Sequence, residues 1–220
     1  MIGTETKSVA LMRRGELAYT SAWELQRELV GQRSAGQISD TLLLLAHPHT
    51  YTLGRATKAG HILVGDDLLA QQGVAVVESD RGGDITYHGP GQIVGYPILK
   101  LSRHGGDLIR YLRMIEDVII CVLGDYGIGG GRIAGLTGVW VGDAKVCAIG
   151  VKLSASGITH HGFALNVSTD LRFFDQIIPC GIVGKRVTSL ERLLGSAPPH
   201  EDVTARVVRA FGTVFGVAVE

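Results

Sequence analysis

The chain has 220 residues, and its 21 Lys plus Arg balance its 21 Asp plus Glu. That neutrality argues against bare nucleic acid or an anionic membrane as the main partner, because both rely on a net basic surface, though it leaves room for a local basic patch. Three cysteines without a Cys-x-x-Cys pair exclude a disulfide framework or a zinc ribbon and point to a reducing cytosol.

Met1 to Ala10 has no apolar stretch of the kind found in a secretory leader. Ser21-Ala22-Trp23-Glu24 has the capping-box pattern and predicts a helix with Leu25 and Leu29 inward. Thr41 to Ala46 predicts a buried strand, stopped by His47-Pro48. Asp66 to Gln72 predicts a short helix ended by Gly73, and Val74 to Glu78 a strand. Gln92 to Leu101 reads as a strand in which Pro97 demands an edge or a bulge. Asp107 caps the longest predicted helix, whose apolar positions Leu108, Leu112, Ile115, Ile119, Val122 and Tyr126 recur every three or four residues up to Gly127. Thr137 to Val141, Ala144 to Leu153 and Ile158 to Val167 predict a meander joined by tight turns. A helix from Asp202 closes the chain, with Pro198-Pro199 before it. The longest apolar runs, Leu42 to Ala46 and Val118 to Leu123, fall far short of the roughly 20 residues that span a bilayer. The order predicts an α/β or α+β domain, a mixed or antiparallel sheet with flanking helices.

Cys121, among Ile119, Ile120 and Val122, reads as core packing, and so does mid-strand Cys147. Cys180 sits in the turn-like Ile178-Pro179-Cys180-Gly181, which suits either a nucleophile at a cleft or an ordinary turn thiol. Strand alternation puts Lys145 on one face with Cys147, Ile149 and Val151. A lysine drawn toward an apolar cleft suits acid–base work, whereas one near a strand start reaches back to water.

Glycine occurs 31 times, about twice the usual roughly 7%. It clusters in Asp80-Arg81-Gly82-Gly83-Asp84-Ile85-Thr86-Tyr87-His88-Gly89-Pro90-Gly91-Gln92. Such a segment lets main chain lie along a ligand, or simply punctuates turns; it is neither a dinucleotide fingerprint nor a P-loop. His161 with Gly162-Phe163 lines a cleft or is a strand histidine bonded to a carbonyl. His47-x-His49 and His160-His161 do not make a metal motif, and no metal is expected.

Together these segments resemble the bacterial octanoyltransferases, also called lipoyl(octanoyl) transferases. The resemblance runs from about Arg13 to Gly195 and rests on four motifs in order: Arg81 to Gln92; Lys145 with Ala148-Ile149-Gly150; His161-Gly162-Phe163-Ala164-Leu165-Asn166; and Pro179-Cys180-Gly181-Ile182. It implies a fold similar to the catalytic module of biotin and lipoate protein ligases, with residues 1–220 as one catalytic domain and a C-terminal helical element from about 200. It implies transfer of an octanoyl group from octanoyl-acyl carrier protein to a specific lysine of lipoyl domains. The acceptors would be 2-oxoacid dehydrogenase subunits and the glycine cleavage H protein. Cys180 would carry the acyl group as a thioester and Lys145 would activate it. Arg81, Gly82, Gly83, Asp84, Ile85, Thr86, Tyr87, His88, Ala148, Ile149, Gly150, His161, Gly162 and Phe163 would bind substrate. The resemblance implies no cofactor and a cytoplasmic location. The rival readings are an ATP-dependent lipoate ligase-like enzyme and a non-catalytic binding module on the same fold.

Overall fold

The computed structural model describes residues 8–178 and 186–220. In chain order they form β1 (Ser8–Glu16), α1 (Tyr19–Ser34), β2 (Thr41–Ala46), β3 (Thr50–Leu53), α2 (Asp66–Gln71), β4 (Ala75–Glu78), β5 (Thr86–His88) and β6 (Gln92–Ile98). Then come α3 (Leu108–Gly124), β7 (Gly131–Ile133), β8 (Leu136–Val141), β9 (Ala144–Leu153) and β10 (Thr159–Asn166). The chain closes with β11 (Arg186–Val187), α4 (Leu190–Leu194), α5 (His200–Phe215) and β12 (Ala218–Val219). A mixed sheet of nine strands runs β12-β1-β2-β6-β10-β9-β8-β7, with β11 beside β9; β4-β3-β5 make a second, small sheet. No helix among the described residues is long and apolar enough to cross a membrane.

The leucine run of β2 lies between two layers, so both faces are apolar. Leu42 and Leu44 join the core under α3 and α5, with Ile115, Ile119, Val122, Val207 and Phe211. Leu43 and Leu45 face the other way, onto Ala22 and Leu29 of α1. Asp107 caps α3 as expected, accepting from the N–H of Ile109 at 2.7 Å and of Arg110 at 3.1 Å. The small sheet has its own core of Tyr51, Ile85, Tyr87 and Phe174.

Four local expectations are corrected. Helix α1 starts at Tyr19, with Ala18 at its N-cap and no side-chain cap, so Ser21 lies inside the first turn and caps nothing. Leu17 donates its N–H to the Ala46 carbonyl, and that anchor starts the helix early enough to bury Tyr19. Cys121 is exposed, not core. It shares the solvent side of α3 with Asp117 and Asp125, one turn away on either side. Pro97 sits in a central strand between β2 and β10, and Lys145 does not share a face with Cys147. The last two shape the site.

Candidate functional site

A cavity of about 540 Å³ is walled by β9, β10, the loop and strand from Arg81 to His88, the β7–β8 turn and parts of α1 and β6. Its rim residues Ala56, Lys58, Gly135 and Thr137 are exposed, and Tyr19, His88, Tyr96 and His161 are buried at its floor. The space exists because two cross-strand pairs are small: Ala148 opposite Ala164 and Gly150 opposite Gly162. A glycine in a strand lets another backbone approach. Here Gly82 donates its N–H to the Val151 carbonyl at 3.1 Å, and a Cβ at Gly150 would come within 2.7 Å of the Gly82 carbonyl oxygen. The double-glycine turn therefore lies directly on β9. Arg81 ties that turn to β3, donating from Nη2 to the Thr52 carbonyl at 2.6 Å and from Nε to Thr52 Oγ1 at 3.1 Å. Asp84 accepts from the Ile85 N–H at 2.6 Å and lies 2.8 Å from His61 Nδ1, so it braces the turn while lining the cavity.

Lys145 reaches the cavity through a bulge. Val139 of β8 pairs with Cys147, but the next residue, Trp140, pairs with Lys145, so Val146 is the extra residue. The alternation breaks there. Cys147 turns into the core with Val139 and Val146, and burial pushes its thiol pKa up, whereas Lys145 lines the cavity with Ala148 and Gly150. Its ammonium lies 4.8 Å from the centre of the Trp140 ring.

His161 reaches the cavity through an opening in the ladder. Phe163 pairs with Gly95 and Ile158 bridges to Lys100, so the register puts His161 opposite Pro97. Proline has no N–H to offer, and the β6–β10 pairing lapses between those points. The Pro97 carbonyl accepts from Thr159 Oγ1 at 2.8 Å, and His161, with φ of 55°, gives its N–H to Gln26 Oε1 at 2.8 Å. Pro97 thus acts in neither an edge strand nor a bulge. It marks a gap in a central ladder where a histidine can turn.

The floor is polar but uncharged near neutral pH. His161 Nε2 donates to Asp80 Oδ1 at 2.8 Å, yet burial outweighs that bond and pushes the imidazole down to about 4. His47 Nδ1 donates to the Leu17 carbonyl at 2.6 Å, so its Nε2 accepts from the Tyr96 hydroxyl at 2.7 Å; burial holds His47 down to about 4 as well. Burial lowers His88 too, assisted by His47 and Arg81 nearby, and its Nδ1 has no hydrogen-bond partner among the described residues. Asp80 stays ionised below the usual carboxylate range: burial opposes this, but bonds from Lys152 and His161 prevail.

Arg81, Gly83, Asp84, Ile85, Thr86, His88, Lys145, Ala148, Ile149, Gly150, His161, Gly162 and Phe163 all line the cavity. Gly82 and Tyr87 do not. Gly82 backs the turn, and Tyr87 points into the small-sheet core, its ring stacked 4.9 Å from Phe173 and its hydroxyl 2.6 Å from His49 Nδ1. Strand alternation explains Tyr87: its neighbours Thr86 and His88 take the cavity face. Pro179, Cys180, Gly181 and Ile182 lie outside the described residues. The chain leaves at Ile178, whose N–H donates to the His61 carbonyl, and returns at β11, where Val187 lines the cavity and pairs with Lys145. Tyr19 and Tyr96 are cavity residues that the motifs missed; Tyr96 stands between Gly95 and Pro97, a pairing of breakers inside an apolar strand that could have drawn attention to it. Asp80, His160 and His161 offer ligand atoms within 4.8 Å of one another, but the Lys152 ammonium holds the second Asp80 oxygen and opposes a cation there.

The family described as "Lipoyl protein ligase A/B catalytic domain" matches residues 18–212. An octanoyltransferase of Chloroflexus aurantiacus is 58% identical over 205 residues, which is 92% of this chain and 92% of that protein. Among solved structures, a putative lipoate protein ligase from T. acidophilum with bound lipoic acid aligns with a TM-score of 0.72 at 14% identity, over 97% of this chain and 88% of that one. The biotin protein ligase from Aquifex aeolicus in complex with biotin and ATP aligns with a TM-score of 0.58 at 15% identity, over 94% and 70% of the two chains. At such identities the two structures speak for the fold alone.

Proposed function

The chain belongs to the lipoyl protein ligase A/B catalytic domain family and, within it, to the octanoyltransferases, acyltransferases of lipoate biosynthesis; from that premise we propose that it moves an octanoyl group from acyl carrier protein to a lipoyl-domain lysine through a thioester on Cys180. The observation that carries this reading is Lys145 on the wall of a partly apolar cavity whose rim strand, β11, follows the Cys180 segment in the chain.

The chemistry closes on two side chains. An ordinary cysteine, with pKa near 8.5, is only a few per cent thiolate at neutral pH. The Lys145 ammonium favours the thiolate. Cys180 Sγ attacks the octanoyl carbonyl, a C–S bond forms, and backbone N–H donors stabilise the oxyanion. The carrier sulfur leaves and takes a proton from Lys145. The neutral acceptor lysine then attacks the acyl-enzyme, a C–N bond forms, and its surplus proton passes to Lys145 as Cys180 departs as thiolate. The pair returns to its starting charge. The donor is already a thioester and the product an amide, so the sequence runs downhill without ATP.

The acyl chain lies against Ile85, Ala148, Ile149 and Phe163, where each buried methylene contributes about 0.8 kcal/mol. The acceptors are lipoyl domains of 2-oxoacid dehydrogenase subunits and the glycine cleavage H protein. The site of action is the cytoplasm, and the chain works as one catalytic domain.

The test is intact mass after brief incubation with octanoyl-acyl carrier protein, without ATP. The expected result is one octanoyl group on Cys180, lost when lipoyl domain is added and absent from Cys180→Ala. Normal single-turnover transfer by Cys180→Ala would overturn the covalent route. Transfer that requires free octanoate, ATP and Mg²⁺ would return the chain to ligase chemistry.

A further inference from the structure

The β7–β8 hairpin carries Gly135, Leu136 and Thr137 into the cavity wall, and one buried carboxylate on α3 holds it. Glu116 is fully buried. Its Oε2 accepts from Arg132 Nε at 2.6 Å and from Arg113 Nη1 at 2.7 Å, so it joins α3 to β7. Its Oε1 accepts the N–H of Gly138 at 3.3 Å, so it joins α3 to β8 as well. Arg132 also reaches Asp117 Oδ1 at 2.6 Å and the Arg113 carbonyl at 2.9 Å. A buried carboxylate with charged donors on one oxygen and a main-chain N–H on the other fixes two strands of a hairpin relative to a helix.

Gly138 is where that anchor meets Lys145. Its φ is 123°, a conformation that side chains avoid. A Cβ there would lie 2.7 Å from the Cys147 carbonyl oxygen, 3.3 Å from Lys145 Cε and 3.5 Å from Lys145 Cδ. The Lys145 stem therefore lies in the trough that the missing side chain leaves. Trp140, two residues on, supports the ammonium from beneath, and the bulge at Val146 supplies the turn that aims the side chain out of the core.

We infer that Glu116 and Gly138 are positioning residues for Lys145: the carboxylate fixes the Gly138 main chain, and Gly138 leaves the trough that directs the lysine stem into the cavity. Neither residue touches the cavity space itself. The catalytic consequence rests on the role proposed above for Lys145; the placement of the side chain does not.

Two readouts separate these. The first is the rate of reductive dimethylation of Lys145 by formaldehyde and cyanoborohydride, followed by mass spectrometry with exposed Lys100 as internal reference. The second is steady-state transfer, resolved into kcat and KM for octanoyl-acyl carrier protein. In Gly138→Ala the added methyl displaces the stem. Lys145 labelling then changes about tenfold relative to Lys100, and kcat falls on the order of 100-fold while KM stays within about twofold. Glu116→Gln has a single carbonyl oxygen to offer Arg132 and Gly138, so both readouts move the same way by less. A folded Gly138→Ala with unchanged Lys145 labelling overturns the positioning, and a folded Glu116→Gln with unchanged labelling removes Glu116 from it. If Gly138→Ala fails to fold, the Glu116→Gln labelling decides. Altered labelling with unchanged kcat upholds the positioning and refutes the proposed part of Lys145 in transfer.

Discussion

The two faces of the large sheet solve opposite problems. Under α3 and α5 the side chains of β2, β6, β9 and β10 are apolar and buried, and they share one core with Ile115, Ile119, Val122 and Phe211. On the face that carries the cavity, the same two strands β9 and β10 offer Ala148, Gly150, Gly162 and Ala164, and the buried groups beyond them are Tyr19, His88, Tyr96 and His161. One face gains its free energy from apolar area removed from water. The other forgoes part of that gain and keeps a shaped space with polar groups in fixed tautomers. A strand can serve both because its residues alternate, and β9 departs from strict alternation just where a lysine must leave the core side.

Substitutions can break that contrast. The largest effect is expected on the dry face. Ile119→Ala removes a fully buried side chain and should cost about 4 kcal/mol in urea unfolding, while the folded fraction keeps its activity. A loss of activity per folded molecule would mean that the two faces are coupled.

Asp40 comes next. It accepts from Arg33 Nε at 2.6 Å, the Lys100 N–H at 2.9 Å and His104 Nε2 at 2.8 Å, joining α1 to the end of β6 and the turn after it. Burial pushes its carboxyl up, but these three donors outweigh burial and hold it below the ordinary value. The unfolded chain therefore binds a proton more readily than the folded one. The contribution is complete above the ordinary carboxylate pKa of about 3.9 and is lost as pH falls through the lower folded value. Asp40→Asn should cost about 3 kcal/mol at pH 7, because it strands the Arg33 charge, and should flatten the decline in stability below pH 4. An unchanged acid profile would assign that decline to other carboxylates.

The smallest effect on stability belongs to the cavity face. Ala148→Leu fills part of the cavity that Lys145 also lines. Transfer of octanoyl should fall about tenfold, about 1.4 kcal/mol at the barrier, and shorter acyl groups should suffer less. The melting temperature should stay within a few degrees. Equal losses for all chain lengths would show that the acyl chain runs elsewhere.

Much of this was legible locally. The leucines of β2, the Asp107 cap, the β8–β9–β10 meander and the α5 stripe follow from periodicity and capping, which involve neighbours a few residues apart. The motif residues that reached the cavity did so largely by alternation from a few recognisable positions. Tyr87 failed for the same reason, since its neighbours on either side take the opposite face. Tyr19 and Tyr96 were silent because an apolar-bodied residue with a polar tip looks the same in a core as on a cavity floor. Cys121 misled because a run of apolar residues on a helix passes through every face, and only packing with α5 and the sheet decides which face is buried.

The sequence by itself determined where α1, α2, α3, α5 and the strands β2, β4, β6, β8, β9 and β10 lie, that the chain builds a mixed sheet with flanking helices, and which glycine-rich segment lines the cavity; β1, β3, β7, β11, β12 and α4 carry no comparable local signal. Tertiary structure alone decided that β1 is flanked by β12 and β2, that Pro97 stands opposite His161 in a central ladder, and that Val146 is the extra residue against Trp140. The reason is physical. Propensity and capping act within a few residues of chain, whereas register and bulges are set by which distant strand supplies each hydrogen-bond partner. Lys145 and His161 reach the cavity through two such departures from regular pairing.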